Sequence, residues 1–454
     1  MRDRNAEAPV GYNHAMRPAE RARSTEGVFG SAFAISGRLV GLATGAGALR
    51  DAAERPGSLW VRDGLVRAID AGAPNQDQER SDENGDERRR PGDPPTVTQL
   101  RAAYVAPGFV DLQVNGAFGH EVGADPRALR ALAAALPATG VPAFLPTLVS
   151  RPEADYAACF AAVDEEQAAA ARGERAGSAR ILGLHLEGPL LAPTRAGAHD
   201  RAAIDAASAA TILRLADPRR VSLVTLAPER DGALEVIAAL RARGIAVSLG
   251  HTEATFEAFT AAVDAGARLA THVWNAMSPL HHRTPGATGA ALSDERVTAL
   301  AIADGVHLHP AVFRMTARVK GPSRLALVTD AIAAAGLGTG PSALAGRPIT
   351  VDATSARLAD GTLAGSTLTL DQAVRNAVPF ASLSIDDVVE MASTTPRAAL
   401  HGRAVDPVGD GATGLRAGAP ADLVLLDADF SVRATLIGGR LAYVKGGDVD
   451  ALRA

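Results

Sequence analysis

Four side chains that can bind a metal ion or transfer a proton follow short apolar segments of this sequence. They are Glu187 at the end of "ILGLHLE", His251 at the end of "IAVSLGH", His272 within "LATHVWN" and Asp330 within "LALVTDA". One carboxylate and two imidazoles form a donor set that suits a divalent ion such as Zn²⁺ and leaves a coordination position open. A second carboxylate nearby can accept a proton from water and return it to a leaving nitrogen. The combination indicates metal-assisted hydrolysis.

The spacing of the two histidines favours a shared site. His251 and His272 are 21 residues apart, which suits one strand–helix repeat, so each would end a neighbouring strand and face the same rim. A single histidine is more often a structural residue than a ligand, and Asp330 before "AIAAAG" also fits a helix N-cap. The arrival of all these residues on one rim together with Glu187 favours the metal site over both alternatives.

Eight apolar segments of strand character alternate with Ala- and Leu-rich helical stretches from about residue 104 to residue 330. Such strands, separated by helices, indicate a parallel sheet buried on both faces. This α/β pattern predicts a closed (β/α)8 TIM-like barrel, with an open doubly wound sheet as the alternative. The carboxyl ends of barrel strands form the catalytic rim. Other polar residues at predicted strand ends are Asp111, Gln113, Asn115, His185, Asn275, Asp304 and His307.

The chain ends show short β-like alternation instead. Residues 31–103 and 404–454 are expected to form one small β-sandwich domain beside a catalytic barrel over 104–403. Residues 1–30 and 74–96 are polar, charged and poor in aliphatic side chains. They are therefore expected to be a disordered tail and a disordered insertion.

Composition excludes several other classes of protein. Aromatic residues make up only 4% of the 454 residues and the net charge is −5, which argues against nucleic-acid binding. No apolar run is long enough to span a membrane, and the first residues lack the apolar segment of a secretory signal. We expect a cytoplasmic protein with no membrane partner.

Several long motifs carry a family resemblance over about residues 104–403. They include "APGFVDLQVNGAFG", "GLHLEGPLLAPTRAGAHD", "LGHTEATFEAF", "THVWNAMSPLHHRTPGATGAAL", "IADGVHLHP" and "LVTDAIAAAG". The sequence resembles the N-acetylglucosamine-6-phosphate deacetylase family of the amidohydrolase superfamily. The resemblance implies hydrolysis of N-acetyl-D-glucosamine 6-phosphate to D-glucosamine 6-phosphate and acetate in amino-sugar metabolism. It also implies one divalent metal ion per subunit, zinc, and a homodimer.

The resemblance implies roles for individual residues. Glu187, His251 and His272 would be the metal ligands, and Asp330 the catalytic acid and base. His307 would contact the substrate near the acetamide. The sugar and acetyl groups would be lined by Ala198, His199, Asn275, Ala276, Leu363, Ala364 and Gly365. Arg283 would bind the 6-phosphate, often from the neighbouring subunit. A planar guanidinium suits phosphate oxygens, and the alternative is an arginine on a surface loop.

The first predicted barrel strand departs from the pattern of many superfamily members, which carry His-x-His there and bind two metals. This chain has Gln113 and Asn115 in those places. Because amides are weak metal ligands, we expect a vestigial second metal site and a single ion. The only lysines, Lys320 and Lys445, lie off the predicted barrel strands, so a carbamylated lysine bridging two metals is not expected either.

Three alternatives stay open at this point. The chain could be another amidohydrolase, for example one acting on a cyclic amide or on a different N-acyl sugar. The substrate could be an epimer of the glucosamine derivative. A barrel that has lost catalysis and serves as a scaffold should lack rim residues, whereas Glu187, His251, His272 and Asp330 are all present.

Overall fold

The computed structural model describes residues 32–41, 56–70, 98–400 and 414–453. The expected tail over 1–30 and insertion over 74–96 lie outside these residues. The strands β1 to β21 are, in chain order, Ala32–Leu39, Pro56–Arg62, Leu65–Asp70, Thr98–Pro107, Val110–Val114, Gly116–Ala117, His120–Glu121, Ala143–Val149, Arg180–Ile181, Leu184–Glu187, Val221–Leu226, Ala246–Leu249, Leu269–Ala270, Thr298–Ala301, Leu325–Leu327, Gly340–Leu344, Arg347–Val351, Ala356–Arg357, Leu423–Leu426, Val432–Ile437 and Arg440–Val444.

The helices α1 to α11 are Pro126–Ala135, Tyr156–Ala171, Arg201–Ala206, Ala209–Leu215, Ala233–Ala242, Phe256–Ala265, Gly286–Ser293, Pro310–Lys320, Leu370–Ala381, Ile385–Val389 and Thr395–Ala399. In the described parts of the chain, no helix is both long enough and apolar enough to cross a membrane.

Eight parallel strands form the barrel, in the order β5, β8, β10, β11, β12, β13, β14 and β15. The two ends of this sheet meet through a parallel bridge between Val114 and Ala331. There Asp330 N donates to Gln113 O at 2.9 Å, and Asn115 N donates to Ala331 O at 2.8 Å. The predicted TIM-like barrel is therefore confirmed, and the alternative of an open sheet is wrong.

The barrel strands are short and almost wholly buried. Every residue of β5, β8, β10 and β11 is buried, as the continuous apolar segments predict for a sheet covered on both faces. Burying one such aliphatic side chain contributes about 1.5–3 kcal/mol. Since the strands stop after only a few residues, the polar residues that follow them reach the rim together.

The two chain ends build one further sheet, in the order β21, β20, β19, β4, β1, β2 and β3. Val66 of β3 and Leu441 of β21 lie in the same apolar cluster, so the sheet curls over one core. The small β domain predicted from both chain ends is thus present, with its strands hydrogen-bonded into a single curled sheet. The boundary expected at 103–104 falls inside β4, because its pairing with β19 continues to Pro107.

A buried carboxylate joins the small sheet to the barrel. Asp422, directly before β19, is 7% exposed. It accepts hydrogen bonds from Arg180 of β9 and, at 2.9 Å, from the backbone N–H of Gly438. Burial alone would raise the pKa of Asp422, but the charge and hydrogen bonds of Arg180 hold it below its usual value. The ion pair therefore fixes the small sheet against the barrel in its charged form.

A separate three-stranded sheet of β16, β17 and β18 follows the last barrel strand. Its apolar side chains form a cluster that includes Ala198 and Ile332. Arg347 at the start of β17 donates to the carbonyl oxygens of Ala198 and His199 at 2.9 and 2.8 Å. The sheet therefore packs against the rim loop that carries His199.

Candidate active site

Glu187, His251 and His272 converge at the rim of the barrel. Glu187 Oε1 is 3.1 Å from His251 Nε2 and 3.1 Å from His272 Nε2, and the two nitrogens are 3.0 Å apart. All three residues are at most 5% exposed. The structure therefore brings the three sequence-predicted metal ligands to one point, although they come from three different strands.

Three rim residues have left-handed backbone conformations. The φ angles are 49° at His251, 29° at His272 and 51° at Asp330. Residues with a side chain seldom adopt this region, and such strain clusters at functional sites. Each of these residues lies just beyond the end of its barrel strand, where the chain leaves the sheet.

The tautomer of His251 is set by its backbone contact. Its Nδ1 is 2.7 Å from the carbonyl oxygen of Arg195, and a carbonyl can only accept. Nδ1 therefore carries the proton of the neutral ring, and Nε2 presents a lone pair to Glu187 and His272. A metal-ligating histidine is typically oriented by a second-site hydrogen bond of this kind.

A fourth imidazole, that of His199, reaches the same carboxylate. Its Nε2 is 3.8 Å from Glu187 Oε1, and the ligand atoms of Glu187, His199 and His251 all lie within 4.8 Å of one another. The backbone N–H of Ser150 donates to His199 Nδ1 at 3.0 Å, so the neutral ring carries its proton on Nε2. Burial lowers the pKa of His199 to about 3 and keeps the ring neutral. In this arrangement His199 faces the cluster as a hydrogen-bond donor.

The donor set of Glu187, His251 and His272 fits a metal ion. Metal–nitrogen and metal–oxygen bonds of about 2.0–2.2 Å place tetrahedral ligand atoms roughly 3.3 Å apart, close to the separations of 3.0–3.1 Å among the three atoms. Two imidazole nitrogens at this distance repel each other unless a proton or a cation lies between them. The donor chemistry and the spacing therefore agree.

The two amides of the expected vestigial metal site act as hydrogen-bond donors. Gln113 Nε2 donates to Glu187 Oε1 and to Asp330 Oδ1, both at 3.1 Å, and Asn115 Nδ2 donates to Asp330 Oδ1 at 2.7 Å. Their amide oxygens find no hydrogen-bond partner among the described residues. The two amides therefore hold the two carboxylates in place.

Both carboxylates of the cluster have shifted pKa values. Burial, and next the negative charge of Glu187, raise the pKa of Asp330 to about 6. Burial would also raise the pKa of Glu187, but its contacts with the imidazoles of His251 and His272 lower it well below its usual value. Glu187 is thus ionised throughout the neutral range, and Asp330 is ionised above about pH 6.

Comparison with known proteins settles the family. The amidohydrolase family model matches residues 104–442. The chain belongs to the amidohydrolase family. It is 33% identical to N-acetylglucosamine-6-phosphate deacetylase of Bacillus subtilis, covering 75% of this chain and 85% of that protein. It is 36% identical to N-acetylgalactosamine-6-phosphate deacetylase of Escherichia coli O157:H7, covering 77% and 90%.

Solved structures agree with this assignment. A variant of N-acetyl-D-glucosamine-6-phosphate deacetylase from Mycobacterium smegmatis, in complex with N-acetyl-D-glucosamine-6-phosphate, matches with a TM-score of 0.77 and 34% identity. The match covers 91% of this chain and 100% of that one. The resemblance to the deacetylase family of amidohydrolases is therefore confirmed over the barrel and the small β domain.

His307 follows barrel strand β14 and is held by Asp304. Asp304 Oδ1 accepts the backbone N–H of His307 at 2.8 Å, and Asp304 Oδ2 is 2.6 Å from His307 Nδ1. Because Nδ1 of His307 contacts Asp304, Nε2 is the ring nitrogen that can contact a further group. The sequence places Asp304 at a predicted strand end but did not predict that it holds His307. The signal for this contact is an aspartate three residues before a histidine.

Asp111 is a second residue whose role sequence reasoning missed. Its carboxylate accepts the hydroxyl of Thr329 at 2.6 Å and the backbone N–H groups of Thr329 and Gln113 at 3.2 Å. It therefore joins the first and last barrel strands directly beneath Asp330. Burial raises the pKa of Asp111 to about 7 against these hydrogen bonds.

The expected substrate residues occupy several rim loops of this amidohydrolase. Asn275 and Ala276 form the turn after His272, where Asn275 N donates to His272 O at 2.9 Å. The segment Leu363, Ala364 and Gly365 runs beside Asp330, because Ser366 N donates to Asp330 O at 2.8 Å. A Cβ on Gly365, whose φ is 63°, would come 2.8 Å from Asp330 O, so this close approach requires glycine.

Arg283 stands apart from the cluster. It is exposed, and its contacts remain within its own loop, with NH1 2.9 Å from His282 Nε2 and the backbone N–H 3.3 Å from His281 Nδ1. Its guanidinium is thus directed to the exterior of this subunit's rim.

A cavity of about 940 Å³ adjoins the cluster on the side of His199. It lies between the rim loops that follow β7, β8 and β10 and the turn before β17, where Arg347 lines it. Gly197 and His199 are among the residues that line it. A volume of this size accommodates a small polar substrate.

Proposed function

We propose that the protein hydrolyses the N-acetyl group of N-acetyl-D-glucosamine 6-phosphate, giving D-glucosamine 6-phosphate and acetate. The observation that carries the proposal is the convergence of Glu187, His251 and His272 beside Asp330. The relatives named above are deacetylases of N-acetylated hexosamine 6-phosphates, and the proposal is supported by the position of these four residues at the carboxyl ends of the barrel strands, where barrel enzymes carry their active sites.

Glu187, His251 and His272 would hold one divalent ion, which we propose is zinc. Such an ion supplies a Lewis acid that acidifies water and polarises the amide carbonyl. Nitrogen donors from two imidazoles with one carboxylate are typical of catalytic zinc. Gln113 and Asn115 offer amide N–H groups to the neighbouring carboxylates, which supports a single ion rather than two.

Asp330 carries the proton transfers. Ionised above about pH 6, its carboxylate accepts a proton from the attacking water as the water oxygen bonds to the amide carbon. It then donates that proton to the nitrogen as the carbon–nitrogen bond breaks, so the amine and acetic acid result, and the acid releases its proton to give acetate. Asn115 and Gln113 hold Oδ1 of Asp330, which leaves Oδ2 for this transfer.

Other residues bind and orient the substrate. His307, held by Asp304, would direct its Nε2 towards the acetamide group of the substrate. His199 would donate from Nε2, and Ala198, Asn275 and Ala276 would line the sugar. The acetyl group would lie beside Leu363, Ala364 and Gly365.

Arg283 would bind the 6-phosphate, from the neighbouring subunit of a homodimer. Its exposed position, with its hydrogen bonds to described residues made inside its own loop, supports a role toward a group outside this subunit. A cytoplasmic location remains part of the proposal, and no nucleic acid or membrane partner is invoked.

Acetate release from the phosphorylated sugar, with and without a chelator, tests the proposed function. We expect turnover of N-acetyl-D-glucosamine 6-phosphate, loss of turnover on chelation and recovery with Zn²⁺. The galactosamine and mannosamine epimers are compared in parallel. Asp330→Asn should abolish turnover while metal content stays that of the wild type. Turnover that survives both chelation and Asp330→Asn would contradict the proposal.

A further inference from the structure

A chain of buried hydrogen-bonding side chains crosses the barrel interior on the strands that lead to Glu187, His251 and His272. His185, Thr225, Ser248 and Thr271 all have 0% exposure. His185 Nε2 is 2.8 Å from Thr225 Oγ1, which is 2.7 Å from Thr271 Oγ1. Thr271 Oγ1 is in turn 2.6 Å from Ser248 Oγ. We refer to these four residues as the buried polar chain.

The direction of every hydrogen bond in the buried polar chain follows from its end at His185. His185 Nδ1 is 3.1 Å from the carbonyl oxygen of Leu112, which can only accept, so Nδ1 carries the proton. The Nε2 atom of the neutral ring must then accept from the Thr225 hydroxyl. Thr225 in turn accepts from Thr271, and Thr271 from Ser248. Each hydroxyl donates to the next member, so removing the Thr271 hydroxyl breaks two buried hydrogen bonds at the centre of the buried polar chain.

The buried polar chain connects the three strands that carry the proposed metal ligands. His185 precedes Glu187 by two residues on β10, and therefore faces the same side of the sheet. Ser248 of β12 and Thr271 after β13 precede His251 and His272 by three residues and one residue. The contacts of 2.6–2.8 Å thus fix the distances between these strands shortly before the chain reaches the proposed ligands.

We infer that His185 and the hydroxyls of Thr225, Thr271 and Ser248 are positioning residues for the metal site. Apolar side chains at these places would fill the barrel interior equally well, but they would not set a unique spacing between the strands. Metal sites lose affinity when the groups that orient their ligands are removed. The inference rests on the proposed function, because it takes Glu187, His251 and His272 to bind an ion.

The affinity of the metal-free protein for Zn²⁺ tests this inference, measured by competition with a chromophoric chelator. Thr271→Val removes one hydroxyl at the centre of the buried polar chain and should weaken Zn²⁺ binding by about 10–100-fold. Thr271→Ser restores the hydroxyl and should restore affinity. Thr435→Val is the matched control, since Thr435 is fully buried and donates to Pro137 O at 2.7 Å in the small sheet.

Melting temperatures of the metal-free variants separate positioning from general stability. Thr271→Val loses two buried hydrogen bonds and Thr435→Val loses one, so both should lower the melting temperature, and only Thr271→Val should lower Zn²⁺ affinity. Equal Zn²⁺ affinities of these two variants would overturn the inference. A wild-type protein that takes up no ion would instead overturn the proposed function and the inference with it.

Two substitutions of His185 provide an independent test if Thr271→Val fails to fold. His185→Asn keeps an N–H near the Nδ1 position for Leu112 and breaks the contact with Thr225. His185→Gln keeps an acceptor near the Nε2 position for Thr225 and gives up the contact with Leu112. We expect the larger loss of Zn²⁺ affinity in His185→Asn, because it disconnects the hydroxyls. Wild-type affinity in both variants would overturn the inference.

Discussion

Asn115 donates its side-chain N–H to Asp330 at 2.7 Å, the shortest side-chain contact that this carboxylate makes in the described structure. A superfamily member with His-x-His would have a metal ligand at the place of Asn115. Here an amide supplies a neutral donor instead, and it stabilises the ionised form of Asp330 against burial and the charge of Glu187. This contact tunes the base of the proposed reaction.

The pH dependence of kcat/KM should follow the ionisation of the Asp330 carboxyl group. Its folded-state pKa is raised to about 6, and the base must be ionised, so kcat/KM should fall about tenfold per pH unit below that value. Asn115→Ala removes a hydrogen bond that lowers the pKa, so the acid limb should move to higher pH. Asn376→Ala, which loses a bond to Ala303 O instead, should leave the limb in place. If the acid limb of the kcat/KM profile lay at the same pH in the wild type, Asn115→Ala and Asn376→Ala, this role for Asn115 would be contradicted.

Asp304→Asn should lower kcat with little change in KM. The substitution replaces the carboxylate oxygen 2.6 Å from His307 Nδ1 and so loosens the orientation of the ring whose Nε2 would face the acetamide. We expect a fall in kcat of roughly 10–100-fold, below the full range of a general acid–base group. Asp205→Asn, at an exposed pair with Arg201, should leave kcat unchanged. Steady-state kinetics with an unaltered kcat for Asp304→Asn would remove Asp304 from this role.

Arg283→Ala should discriminate between phosphorylated and unphosphorylated substrates. Loss of a charged hydrogen bond to phosphate should raise KM for N-acetyl-D-glucosamine 6-phosphate by about 10–100-fold and leave the rate with N-acetyl-D-glucosamine unchanged. If Arg283 acts across a dimer interface, mixing Arg283→Ala subunits with inactive Asp330→Asn subunits should regenerate activity. A KM that does not change would show that Arg283 does not bind the phosphate.

Asp422 should make a large contribution to the stability of the whole protein. Asp422→Ala removes the buried carboxylate that accepts from Arg180 and from the backbone N–H of Gly438, which should lower the free energy of unfolding by ~1–3 kcal/mol. The control Asp264→Ala breaks an exposed pair with Arg296 and should have a much smaller effect. Denaturant unfolding of both variants measures the difference. Equal changes in the free energy of unfolding would contradict the role of Asp422 in holding the small sheet against the barrel.

Much of the architecture could be predicted because it depends on local patterns. Eight apolar segments separated by helical stretches predicted the barrel, and the position of a polar residue at a strand end predicted the rim. Glu187, His251 and His272 could be placed together for that reason alone. The resemblance then supplied residues such as Asn275 and Gly365, which no periodicity singles out.

The remaining features depend on contacts between distant residues. Ser150 sets the tautomer of His199, and Asp111 joins Thr329 across the barrel closure; both relationships exist only once the strands have closed. The left-handed backbone at His251 had no signal in the sequence, since neither a glycine nor an asparagine marks it. The sheet of β16 to β18 that packs on the rim was missed because its strands are short and follow the last barrel segment.

The most direct test of the proposed metal site is the anomalous diffraction of crystals grown with Zn²⁺. We expect one ion per subunit, within about 2.0–2.2 Å of Glu187, His251 and His272. His199 Nε2 should lie outside bonding distance, and Gln113 and Asn115 should not coordinate the ion. No ion at this cluster, or an ion bound through His199 in place of His272, would contradict it.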